Sequence, residues 1–180
     1  MYPLLRSELP NILRGCNASG LMVTHDPEEA MSICNKVAVM NEGEIHQIDT
    51  PINLLNNPKT IFVSSFILGN NILNLQKNGN SYMSCLGEIN YSDLSNSSNF
   101  KRMSISPKFI SIKRNESGNA IVISKEFLGE FLIYKVSINE DILRVRTNIN
   151  NELNNGDKCS LSINKNSYYF LYPGAQKIHI

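Results

Sequence analysis

Several things are missing from this chain of 180 residues. It has no CxxC pair: Cys16, Cys34, Cys85 and Cys159 are far apart, too far for the close ligand spacing of a zinc site. Nothing in the sequence marks it as secreted, so the cysteines are expected to be reduced, partly buried thiols. Charge of one sign is missing too. The net charge is +1, which gives no bulk attraction to nucleic acid or to an anionic membrane. Long apolar runs are absent. The first residues, MYPLLRSELPNILRG, carry charges and no signal-type core. TIFVSSFILG is the most apolar stretch, well short of the about 20 residues a membrane-spanning helix needs. Direct membrane insertion is therefore not expected. Finally, no GxxxxGK[ST] occurs anywhere, so no phosphate loop lies within these residues.

What is present falls into two textures that meet near residue 68. The first alternates helix and strand. LLRSELPNILR reads as a helix with Leu5, Leu9, Ile12 and Leu13 on one side and a kink or break at Pro10. Gly20 opens LMVT, a bare apolar run of the kind buried on both faces of a parallel sheet, and His25 ends it. Asp26 suits a helix N-cap, Pro27 the first helical position, and Glu29 the far end of a capping box. In that helix Ala30, Met31 and Cys34 face inward. KVAVM reads as a second buried strand, NEG as a three-residue turn with positive φ at Gly43, and EIHQI as the returning strand. Thr50-Pro51 opens a short helix that Pro58 closes, and TIFVSSFI forms another.

The second texture has period two. Leu132, Tyr134, Val136 and Ile138 share one face, and Leu143, Val145 and Thr147 share another. Cys159, Leu161 and Ile163 alternate with polar residues, and SYYFLY ends the series at Pro173. SDLSNSSN at 92–99 reads as a polar loop. Short strands with Asn and Gly turns predict a small antiparallel barrel. The fold class expected is thus mixed α+β, a partial α/β region followed by an all-β, OB-like barrel, with domains at 1–68 and 69–180.

A histidine at the carboxyl end of a strand, before a capped helix, sits where open α/β sheets bind ligands, but a lone histidine at a strand end is more often structural. Its neighbours extend the pattern: VTHDPEEAM, KVAVMNEGEIHQIDTP and NNPKTIFVSSFILGNNIL, in that order. The ordered set resembles the ATP-binding subunit of ABC-type importers, in the branch for iron(III), sulfate, spermidine or maltose. It covers about residues 20 to 75. The remainder resembles that family's carboxyl-terminal domain of small OB-like barrels, the TOBE type, by strand pattern. Ser106-Pro107-Lys108 stands where the family carries Arg-Pro-Glu.

The resemblance implies that residues 1–68 are the carboxyl-terminal part of a nucleotide-binding domain and that His25 is the switch histidine. As such it would contact the γ-phosphate of ATP and the attacking water. Asp26 would then have an interface role as well as its cap, while Glu28 and Glu29 read as a solvated first turn. In the full family the cofactors are ATP and Mg²⁺. The signature Leu-Ser-Gly-Gly-Gln is absent, and the metal-holding Asp-Glu pair would lie just before residue 1. The chain is expected to be inactive as an ATPase alone, to bind neither cofactor tightly, and to hold no metal. The partners implied are membrane permease subunits and a second ATPase subunit, at the inner face of the cell membrane, with iron(III) or another small ion as cargo. Two other functions stay open. One is a stand-alone OB-like binding or regulatory module using Lys135, Arg144 and Arg146 as a basic face, with no nucleic-acid role because Tyr134 lies opposite. The other is a truncated, non-functional gene product.

Overall fold

The structure is a computed structural model that describes residues 3–79, 81–90 and 99–180, with side chains from residue 8 onward and except at residue 90. The polar loop expected at 92–99 falls outside the described residues except for Asn99. Mixed α+β is the class found. The chain divides into two compact units, Met1–Leu68 and Gly69–Ile180.

The first unit starts with helix α1 (Pro3–Gly15), which runs through Pro10 without the expected break. Proline deletes one amide donor toward the preceding turn, and one turn further on the Arg14 Nε donates to the Pro10 carbonyl at 3.1 Å. Ile12, expected on the packed side, is 55% exposed. The run LMVT is the main correction. It belongs to no sheet, and Leu21 and Val23 are 95% and 92% exposed. A strand exists by pairing, and no described strand of this unit lies beside it.

Helix α2 (Pro27–Ile33) follows, with Ala30, Met31 and Cys34 packed inward as their spacing predicts. Strands β1 (Val37–Asn41) and β2 (Glu44–Asp49) form a hairpin. β1 is not buried on both faces. Val37 and Val39 are buried, whereas Met40 is 57% exposed, as a two-stranded sheet covers one side only. The turn is shorter than expected, because Asn41 pairs with Glu44 and leaves Glu42 and Gly43 as a two-residue loop. Both have positive φ, 50° and 82°, the backbone that matches the twist of the flanking strands. Helix α3 (Pro51–Asn56) is capped by the Thr50 hydroxyl, which accepts from the Asn53 amide. Helix α4 (Ile61–Leu68) is apolar nearly throughout. Leu54 and Val63 lose all exposure against Val37 and Val39, and each such side chain contributes about 1.5–3 kcal/mol of burial.

The second unit is all-β and OB-like. Strands β3 (Asn71–Asn74), β7 (Arg102–Ile105), β13 (Tyr168–Tyr172) and β14 (Gln176–His179) form one antiparallel sheet in the order β14-β13-β7-β3. Strands β4 (Gln76–Asn78), β5 (Ser81–Ser84) and β6 (Gly87–Asn90) form a second. The third has five strands: β8 (Ile110–Arg114), β9 (Ala120–Phe127), β10 (Phe131–Ile138), β11 (Asp141–Asn148) and β12 (Lys158–Ile163), in the order β11-β10-β9-β12-β8. Ser106 precedes a single 3-10 turn at Pro107–Phe109 between β7 and β8. All three sheets face one core that includes Leu73, Met103, Val122, Val136 and Leu171. Tyr134 is fully buried there, and its hydroxyl donates to the Asn151 carbonyl at 2.9 Å. A side chain on Gly118 would overlap the Cys159 carbonyl, so this close approach of two backbones needs glycine.

β11 is an edge strand, and its edge is partly closed by a side chain. The Asn71 amide donates to the Arg144 carbonyl at 2.8 Å and accepts from the Arg144 amide at 2.8 Å. The carboxamide thus makes the two bonds that one residue of a neighbouring strand would make.

Candidate functional site

The segment around His25 is held by its neighbours. Asp26 has extended backbone, and its carboxylate accepts from the Glu28 and Glu29 amides at 2.9 and 3.4 Å. That is the expected N-cap. The expected capping box takes a different form. Glu29 was to reach back to the Asp26 amide, but that amide donates to the Thr24 hydroxyl at 3.0 Å. The Thr24 hydroxyl in turn donates to the Glu29 carboxylate at 3.0 Å. A hydroxyl both donates and accepts, so Thr24 inserts itself between the two partners of the ordinary box. The backbone is thereby tied on both sides of His25. The imidazole itself is exposed and makes no hydrogen bond to any described residue. Among the described residues no hydrogen bond orients the ring.

These residues do not make a cradle for a nucleotide's phosphates. The first free amides of α2 are taken by Asp26, and Glu28 and Glu29 add negative charge in the same turn. Among the described residues no cluster of three or more His, Cys, Asp or Glu could hold a metal ion. No helix among them is long and apolar enough to cross a membrane.

Sequence reasoning missed Gln47. It is only 3% exposed, in the middle of β2. Its Nε2 donates to the Asn57 carbonyl at 3.0 Å and its Oε1 accepts from the Lys59 amide at 2.8 Å. The side chain therefore pins the connection between α3 and α4 to the hairpin. A polar residue at an inward position of a period-two strand was the available signal. His46 sits next to it, its Nδ1 3.2 Å from the Thr60 hydroxyl and its ring 5.0 Å from that of Phe62.

The basic face of the second unit is present as a group. Lys135 lies directly opposite Arg144 in the β10–β11 ladder, and Arg146 follows two residues along. All three are exposed. The Arg146 guanidinium stacks over the Phe131 ring at 3.7 Å. Phe131 shares the face of Lys135 by strand alternation, so an aromatic is present there after all. Tyr134 lies on the other, buried face.

No protein-family model matches the chain. Individual proteins do. The spermidine/putrescine import ATP-binding protein PotA of Bacillus thuringiensis (strain Al Hakam) is 48% identical over 79 residues, which is 44% of this chain and 23% of that protein. The PotA protein of Mesoplasma florum is 46% identical over 69 residues, 38% of this chain and 20% of that protein. The sn-glycerol-3-phosphate import ATP-binding protein UgpC of Roseobacter denitrificans is 44% identical over 63 residues, 35% of this chain and 18% of that protein. The chain thus spans less than a quarter of the length of the curated relatives it matches. Over about two fifths of its residues, this chain is similar to the ATP-binding subunits of importers.

Proposed function

We propose that this chain supplies the switch-histidine segment and the OB-like region of the ATP-binding subunit of an ABC-type importer. The observation that carries the reading is the 48% identity to an import ATP-binding protein. In this reading residues 1–68 belong to a nucleotide-binding domain and residues 69–180 to a TOBE-type regulatory domain. ATP and Mg²⁺ are held by residues other than these 180, because no phosphate loop is among them. His25 is the catalytic contribution. A neutral imidazole can donate one hydrogen bond and accept another, which suits a group that touches both a phosphate oxygen and a water. The subunit would pair with a second copy and with membrane permease subunits at the cytoplasmic face. For the cargo, a polyamine has the support of two relatives' names, whereas iron(III) rests on the motif resemblance alone.

The test is reconstitution. The purified chain alone is expected to show no ATP turnover above that of His25→Ala. Co-expression with a phosphate-loop segment from a PotA-type relative should restore turnover, and His25→Ala should then lower it by about 100-fold. Equal turnover by both variants in the reconstituted complex would refute the assignment of His25. Turnover by the chain alone would refute the assignment of the phosphate site to other residues.

A further inference from the structure

We propose that Lys135, Arg144 and Arg146 form a binding site for a phosphate-type oxyanion on the outer face of the five-stranded sheet. The placement of these cations is electrostatically unfavourable as it stands. Register sets Lys135 directly opposite Arg144, with Cβ atoms about 5 Å apart, and like charges so placed repel. Sequence neighbours do not cure it. Across β10 from Arg144, the place beside Lys135 is taken by Ser124. Glu126 lies one row away, across Ile133 from Arg146. Among the described residues none of the three cations makes an ion pair. A chain of net charge +1 has no general excess of cations to scatter, so their concentration on one face is local.

The Arg146 guanidinium and the Arg144 backbone are also held in place. Arg146 rests on Phe131 at 3.7 Å, which fixes its plane. Arg144 is fixed at the backbone by both bonds to Asn71. Its Nη1 lies 3.9 Å from the point where Gly69 would carry a Cβ, so the left-handed glycine leaves room for the fork. One stacked fork, a second fork on a fixed backbone and an ammonium, arranged along about 7 Å of strand, match an anion with several acceptor oxygens. A bound dianion would turn the repulsion between Lys135 and Arg144 into a shared attraction. The phosphate group is the shared chemistry, whether free or carried as a monoester.

The experiment uses the full chain, with inorganic phosphate, phosphoserine and a short single-stranded oligonucleotide as probes, at constant ionic strength. Arginine Nε–H resonances and the thermal midpoint are followed. Saturable shifts of the Arg144 and Arg146 signals and a raised midpoint are expected with phosphate or phosphoserine, and the stronger of the two identifies the source. Arg144→Gln should weaken binding by about tenfold, with Lys135→Gln as a second variant should the first fail to fold. Lys165→Gln, an equal loss of charge on an exposed residue elsewhere, should leave it unchanged. Equal weakening by Lys165→Gln, or a response that never saturates, would overturn the site. So would binding of the oligonucleotide with no response to either small phosphate.

Discussion

At the scale of single residues, Asp26 and Cys85 are the informative cases. Asp26 satisfies two amides at the start of α2, so Asp26→Ala should cost about 1 kcal/mol locally. Faster hydrogen exchange at Glu28 and Glu29, with the second unit's amides unchanged, is the expected readout. Cys85 has its pKa pushed up to about 12, first by burial and then by a hydrogen bond to Asp141. Its thiol should stay unmodified when exposed Cys16 reacts with iodoacetamide near neutral pH, as mass spectrometry of timed samples would show. The sign for stability follows. Folding favours the neutral thiol, so its contribution is full below pH 9.0 and is lost as the pH rises toward about 12. Tyr169, also raised to about 12 by burial, adds to the same alkaline loss. Asp49 works at the other end. Hydrogen bonds from the Asn53 side chain and the Thr50 amide hold its carboxyl below 3.8, so what it adds to α3 is lost only in acid. The cap at Asp26 was legible in the sequence, because it depends on residues two and three positions away. The Thr24 insertion was not, because it depends on which of two acceptors, the Thr24 hydroxyl or the Glu29 carboxylate, the Asp26 amide meets.

At the scale of elements, the same contrast of local and non-local causes recurs. Helices α3 and α4 and strands β10, β11 and β12 follow from caps and from period two, which are properties of short windows. LMVT has the composition of a buried strand, but its pairing partner would have to come from elsewhere in space, and composition carries no record of that. β11 makes the point from the other side. Its partner at Arg144 is Asn71, 73 residues away, and no periodicity announces it. The Asn71→Ala variant removes both bonds and opens the edge. It should lose about 1–3 kcal/mol and associate at concentrations where the parent does not, which denaturant titration and light scattering would show.

At the scale of the whole molecule, the two units differ in what they bury. The core of the second draws on three sheets, while that of the first rests on Val37, Val39, Leu54 and Val63 with a few partly buried neighbours. The first unit also leaves Leu21, Val23, Met40, Ile45 and Ile48 more than half exposed. Limited proteolysis should therefore leave a resistant fragment that begins near Gly69, and an apolar dye should bind through the first unit. Survival of residues 20–68 as the protected piece would contradict this.

The Asn71 contact also bears on how the protein ages. Loss of the side-chain amide by slow hydrolysis, to which asparagine is prone, would leave a carboxylate. That group still accepts from the Arg144 amide but offers no proton to the Arg144 carbonyl. The damage would be chemical and tiny, and the edge it uncovers belongs to the larger, better-packed unit. Stored protein should therefore begin to self-associate through intact, folded molecules, before any unfolding is measurable.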